Sequence, residues 1–185
     1  GLEALLIQMP AGAAQLGFVV VSAALCSWIP NIRTVMMIVL TLISLVGMVL
    51  MYALDSSNQQ GRMAGYCLSL AFAANMPLAL SVVTSNVRGF TKRAVVNACV
   101  LVMYCVGNIV GPQFYSVDEA PRYRRGITAS LAGFGLGAFW LICLRVYLQW
   151  QNKRRSTEES SVSALGALLM EDPTDWEIPG CQYVL

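Results

Sequence analysis

Four stretches of this chain run without a single Asp, Glu, Lys or Arg: Thr34 to Leu54, Met63 to Val87, Ala94 to Val117 and Gly126 to Leu144. Each is close to the ~20 residues that carry a helix through ~30 Å of hydrocarbon. A fifth uncharged interval, Ala4 to Ile32, is longer, and Pro10 and Pro30 trim it to one span. The pattern therefore predicts five membrane-spanning helices, over about 11–29, 34–54, 63–85, 94–115 and 126–148, preceded by a short apolar approach at 1–10 and followed by a tail at 149–185.

The polar residues inside these spans are sorted. Gln15, Asn75, Asn97, Asn108 and Gln113 belong to spans one, three and four, whereas spans two and five hold no carboxamide within the membrane. Hydrocarbon offers such groups no hydrogen-bond partner, so they must turn to other helices or to a water-filled path. Spans one, three and four are thus expected to look inward to a shared polar region, and spans two and five outward to lipid. In span two the hydroxyls of Thr41 and Ser44 can bond their own backbone, which keeps that reading consistent.

Span four, NACVLVMYCVGNIVGPQFY, shows the sorting most clearly. Asn97, Tyr104 and Asn108 return to nearly one helix face, and Gly107 and Gly111 stand one turn apart beside it. Span one carries Gln15 with Ser22 and Gln8 a heptad away on either side. Span three sets Asn75 near mid-membrane, two residues before Pro77, which removes a backbone donor and opens the preceding turn. Pro77 is the expected hinge. Span five repeats Ala129, Gly133 and Gly137 every fourth residue, so Gly107, Gly111, Gly133 and Gly137 are the expected points of close helix packing.

Composition agrees with the pattern. Hydrophobic residues make up 57 % and charged ones 12 % of the 185 residues, where soluble domains carry roughly 25 % charge. Counted by alternating crossings, eight Lys and Arg fall on one side (Arg33, Arg88, Lys92, Arg93, Arg145, Lys153, Arg154, Arg155) and four on the other (Arg62, Arg122, Arg124, Arg125). Positive residues stay on the cytoplasmic side, which puts the C-terminus there, with Arg145 reaching to that interface. The chain opens on Gly1 within an apolar run and without a basic leader, as expected of a piece of a longer protein rather than of a signal peptide.

Several chemistries have no support. The chain has no histidine and no C-x-x-C pair, and Cys26, Cys67, Cys99, Cys105 and Cys143 lie within spans, where they read as small apolar residues; no metal site and no cofactor is expected. Gly133, Gly135 and Gly137 follow no strand, so they are not a nucleotide loop. Nothing indicates a nucleic-acid partner. With no acid inside a span and no nucleophile beside a base, an enzyme is not expected. After QNKRR, which suits an anionic membrane surface, the STEESSVS stretch and the acidic, Pro-containing end read as a solvated tail.

Particular segments carry a family likeness. The run from Thr84 to Tyr115, with TSN, TKRAVVNA and YCVGNIVGPQFY, then EAPRYRRGI at Glu119 to Ile127, resembles helices ten to twelve of the fungal anion:cation symporters of the major facilitator superfamily, with the allantoate permease group closest. LLIQMPAGA at Leu5 to Ala13, NKRR and YVL at Tyr183 to Leu185 are similar to that family as well. The resemblance implies an all-α membrane protein, the second half of a twelve-helix transporter from the end of helix seven at 1–10 through helix twelve. It makes spans one, three and four the cavity-lining helices eight, ten and eleven, and spans two and five the peripheral helices nine and twelve.

The same resemblance implies secondary transport of a small organic anion or vitamin-like solute of the allantoate, nicotinate, pantothenate or biotin class. It further implies coupling to a proton, alternating access, a plasma-membrane location and an N-terminal half as partner. Gln15, Asn75, Asn97, Tyr104 and Asn108 are the expected path-lining residues. Where the family usually carries an acid followed by arginine after helix eight, this chain has Ser27 and Trp28, with Pro30, Asn31 and Arg33 retained. A titratable group within the spans is missing, so a proton carrier and any arginine gripping an anion fall to the other half. The alternative from a different class is a truncated, non-transporting paralogue that serves as an interaction partner or persists as a remnant.

Overall fold

The computed structural model describes residues 2–54, 58–115, 123–158 and 184, and among these every regular element is a helix. They are α1 (Leu2–Trp28), α2 (Arg33–Ala53), α3 (Gln59–Ser69), α4 (Asn75–Asn86), α5 (Phe90–Val110) and α6 (Arg124–Glu158). A 3-10 segment, Leu70–Ala74, joins α3 to α4, and another, Gly111–Phe114, prolongs α5. Five helical runs are long and apolar enough to cross a membrane: Gln8–Trp28, Arg33–Ala53, Gln59–Asn86, Phe90–Phe114 and Arg124–Arg154.

Two boundaries differ from the expected ones. Residues 2–10 continue α1 instead of forming a separate approach, because Pro10 sits inside the helix without ending it. A membrane helix tolerates such a residue where neighbouring groups take up the freed carbonyl. At the other end α6 runs 35 residues, about 52 Å, so QNKRR is the last part of a helix rather than the start of a tail. Of the tail expected at 149–185, residues 159–183 and 185 lie outside the described residues.

The connections follow local chemistry. α1 and α2 are joined by a tight turn in which Asn31 takes a positive φ of 61°, a conformation asparagine tolerates better than most residues. Gly89 does the same at φ 89° between α4 and α5. Asn58 caps α3 by accepting the Gly61 N–H at 3.1 Å.

The helix at the centre of the packing is α2, which corrects the expectation that span two faces lipid. Thr34, Met37, Leu40, Thr41, Ser44 and Gly47 are all buried on one face, while Val39, Leu42, Val46 and Val49 face outward. Without a hydrophobic drive between helices in lipid, close packing of small and hydroxyl residues is what brings them together, and this face is made of them. Met37 and Leu40 form a buried cluster with Ala71, Ala74, Leu78 and Val82. Thr41 donates to the Met37 carbonyl at 2.8 Å and Ser44 to the Leu40 carbonyl at 3.0 Å, so burial leaves neither hydroxyl unsatisfied.

The closest helix crossing lies between α2 and α3. A Cβ placed on Gly47 would stand 2.6 Å from the Gly65 carbonyl oxygen and 2.6 Å from the Ser69 nitrogen, and one on Gly65 would stand 2.9 Å from the Gly47 oxygen. Only glycine fits. By contrast, a Cβ on Gly107, Gly111, Gly133 or Gly137 would meet nothing within 4 Å. Among the described residues, then, nothing packs closely on the four glycines expected at helix contacts: α5 buries no residue, and the glycine stripe of α6 faces open space.

Two arginines tie the N-terminal end of α2 to its neighbours. Arg33 donates to the Ser85 hydroxyl and, at 3.4 Å, to the Ser81 carbonyl of α4. Arg145 of α6 donates at 3.0 Å to Thr34, whose relative exposure is 0 %. Arg145 thus makes a specific interhelical bond where its sequence suggested only reach to an interface.

Candidate functional site

A cavity of about 720 Å³ opens between the helices, and parts of α1, α2, α4, α5 and α6 all reach it. Gln15, Asn75, Tyr104 and Asn108 line it, which brings together four of the five path residues expected from sequence. Asn97, the fifth, stands outside the lining, with its Oδ1 buried and without a hydrogen-bond partner among the described residues.

Asn75 owes its place to the break in its span. Asn75 N–H bonds the Phe72 carbonyl three residues back, the tighter 3-10 pattern, just ahead of Pro77. Proline at 77 has no N–H to offer the Ala73 carbonyl, so a regular α-helical ladder cannot run through this turn. Ala71 and Ala74 are fully buried there, small enough for the segment to lie against α1 and α2.

At the start of α4, the Asn75 amide then points its Nδ2 at Thr41 Oγ1, 2.8 Å away on α2. Its Oδ1 is buried and accepts no hydrogen bond among the described residues. An unpaired buried carbonyl oxygen of this kind costs roughly 1–3 kcal/mol, so it is a point at which a donor, from water or a solute, would be bound.

Asn108 is arranged differently. Its Nδ2 donates to the Tyr104 carbonyl of its own helix at 2.9 Å, which leaves its oxygen and the Tyr104 hydroxyl as groups on the cavity side of α5. Both residues are exposed within this chain. The polar groups therefore approach from α1, α4 and α5 onto one space.

The rest of the lining departs from the expected division of helices. Thr41 and Met37 come from α2, and Phe134, Gly137, Trp140, Leu141 and Leu144 from α6. Spans two and five, read as outward-facing, thus supply much of the wall. Phe134 pairs with Phe72 at 5.5 Å between ring centres, an apolar floor beside the amides. The signal for α6 was available: 134, 137, 141 and 144 repeat at helical spacing, but all are apolar and a lipid-facing stripe looks the same.

At the far end of α5, Tyr115 lies over Gly126, where a Cβ would come within 2.5 Å of the ring, and its hydroxyl is 2.9 Å from Ser130 Oγ. Gln113 sits in the 3-10 segment just before it and lines no part of the cavity. Cys26, Cys67, Cys99, Cys105 and Cys143 are free thiols.

Among the described residues the chain is a bundle of helices, five of them long and apolar enough to cross a membrane, around a polar-edged, largely apolar cavity, and the relatives of the chain are transporters. An uncharacterized transporter of Schizosaccharomyces pombe is 31 % identical over 186 residues, covering 98 % of this chain and 36 % of the relative. The MFS-type transporter cnsL of Penicillium expansum is 30 % identical over 182 residues, 98 % of this chain and 38 % of its own length. The allantoate permease of Saccharomyces cerevisiae is 27 % identical over 138 residues, 73 % of this chain and 25 % of the permease. The chain belongs to the major facilitator superfamily, as the C-terminal half of its helix bundle. It spans little more than a third of the length of the first two of these relatives. No family model and no solved structure matches it.

Proposed function

We propose that this chain is part of a secondary active transporter that moves a small organic anion or vitamin-like solute, of the allantoate, nicotinate, pantothenate or biotin class, by alternating access around the cavity. The observation that carries the reading is the buried, unpaired Oδ1 of Asn75 in the wall of a space that Gln15, Tyr104 and Asn108 also edge. At about 720 Å³ the space is of the size that holds small-molecule ligands, roughly 300–1,000 Å³.

Solutes of this class join carboxylate or ureide groups to small apolar or heterocyclic bodies. Amide and phenol donors suit the former, and the Phe72–Phe134 wall suits the latter. Gln15, Tyr104 and Asn108 orient the solute in this reading, Asn75 accepts one of its N–H groups, and the 3-10 break before Pro77 is the hinge. Asn97 serves the path outside the cavity. Among the described residues no Asp, Glu, Lys or Arg lines the cavity. The coupling proton and the cation that balances an anionic solute are therefore assigned to parts of the protein beyond these 185 residues, the N-terminal half. Eight of the twelve basic residues fall on the side of Arg33, Arg145 and the C-terminus, which is proposed to be cytoplasmic in the plasma membrane.

The test is uptake of labelled allantoate, nicotinate, pantothenate and biotin by cells that express the full-length gene. Loss of a single neutral hydrogen bond to the solute amounts to about 1 kcal/mol, so Asn75→Leu and Asn108→Leu are each expected to lower uptake efficiency about fivefold. Undiminished uptake in both variants would remove these residues from the path, and a wild type that carries none of the four solutes would remove the solute class.

A further inference from the structure

Asn86, the last residue of α4, makes a reciprocal pair of bonds with a residue 98 positions away. Its Nδ2 donates to the Val184 carbonyl at 2.9 Å, and the Val184 N–H donates back to Asn86 Oδ1 at 2.7 Å. Both residues are half-buried. A carboxamide presents the same donor and acceptor as a peptide group, so this pair reproduces the exchange that two antiparallel strands make at a hydrogen-bonded position. The contact reads main chain at Val184, not a side chain. What fits it is a main-chain amide and carbonyl, here those of Val184.

The receiving side is held in place. Arg33 binds Ser81 and Ser85 on the preceding turn of α4, and Arg93 Nε donates to the Val87 carbonyl at 3.0 Å, closing the α4–α5 turn from the other side. Val87 itself leaves the helix in an extended conformation, with φ −100° and ψ 113°. Asn86 thereby stands between two neighbours that are each hydrogen-bonded to an arginine.

We propose that the Arg33 end of α4 carries a docking site for the chain's own C-terminal segment, bound through its backbone at Val184 with Asn86 as the reading residue. α4 has Asn75 at its other end, about 17 Å away along the helix. Val184 is thus fastened to the same helix that carries a wall of the cavity.

Hydrogen exchange of the full-length protein in nanodiscs, read by mass spectrometry on the peptide containing Val184, tests the site without reference to transport. Two ordinary hydrogen bonds protect on the order of tenfold, so the wild type should exchange there at least that much more slowly than the same peptide free in solution. Asn86→Ala is expected to return the peptide to the free rate while leaving Leu78 to Val82 protected. Thr84→Ala, whose hydroxyl bonds only carbonyls of its own helix, should retain the protection. Free-chain exchange at Val184 in the wild type, or protection that survives Asn86→Ala, overturns the proposal.

Discussion

Asn75 of α4 donates to Thr41 of α2 across 2.8 Å, and the Thr41 hydroxyl donates in turn to the Met37 carbonyl at the same distance. The Thr41 hydroxyl thus acts as acceptor between helices and donor within one. That relay fixes which way the Asn75 amide faces, leaving Oδ1 as the unpaired end.

Removing the acceptor should therefore be felt on both helices. Thr41→Val is expected to cost about 1 kcal/mol of stability, within the range for interhelical bonds in membranes. Combined with Asn75→Ala, the losses should be less than additive by about 0.5–1 kcal/mol. Denaturant unfolding of the four proteins in mixed micelles measures the cycle, and strict additivity would show that the bond contributes nothing.

Glycine positions separate sharply. Gly47→Ala sets a methyl group against the backbone of α3, which cannot rotate away, and an overpacking cost of about 1–3 kcal/mol is expected. Gly133→Ala meets nothing within 4 Å among the described residues and should change stability by no more than about 0.5 kcal/mol. Thermal unfolding in detergent compares the two. Equal effects would contradict the placement of the α2–α3 crossing.

The Arg145–Thr34 bond gives a third expectation. Thr34→Val keeps shape but deprives a half-buried guanidinium of its acceptor, at about 1–2 kcal/mol. Arg145→Ala removes donor and charge together, so adding Thr34→Val to it should cost little more. A double variant that loses the full sum would mean that the two residues act independently.

Tyr115 gives the fourth. Tyr115→Phe keeps the ring over Gly126 and loses only the contact to Ser130, for under about 1 kcal/mol. Gly126→Val must displace the ring and should lower the melting temperature further. The reverse order would show that the hydroxyl, and not ring packing, joins the end of α5 to α6.

Charge-free intervals by themselves determined the membrane class and the number of spans, because a bilayer excludes charge from ~20-residue stretches whatever their tertiary setting. The carboxamides likewise marked Gln15, Asn75 and Asn108, three of the polar groups that meet at the cavity, since hydrocarbon would leave such groups unpaired. Sequence did not determine which apolar face packs. Thr34, Met37, Thr41 and Ser44 repeat at helical spacing on α2, yet hydroxyls that can bond their own backbone are equally at home facing lipid. Only the tertiary structure decided that this stripe is the hub of the packing, that Gly47 and Gly65 rather than the glycines of α5 and α6 make the close crossing, and that α6 walls the cavity. The reason is physical: in lipid, water imposes no preference between apolar surfaces, so the choice among them rests on shape, and shape exists only once the helices meet.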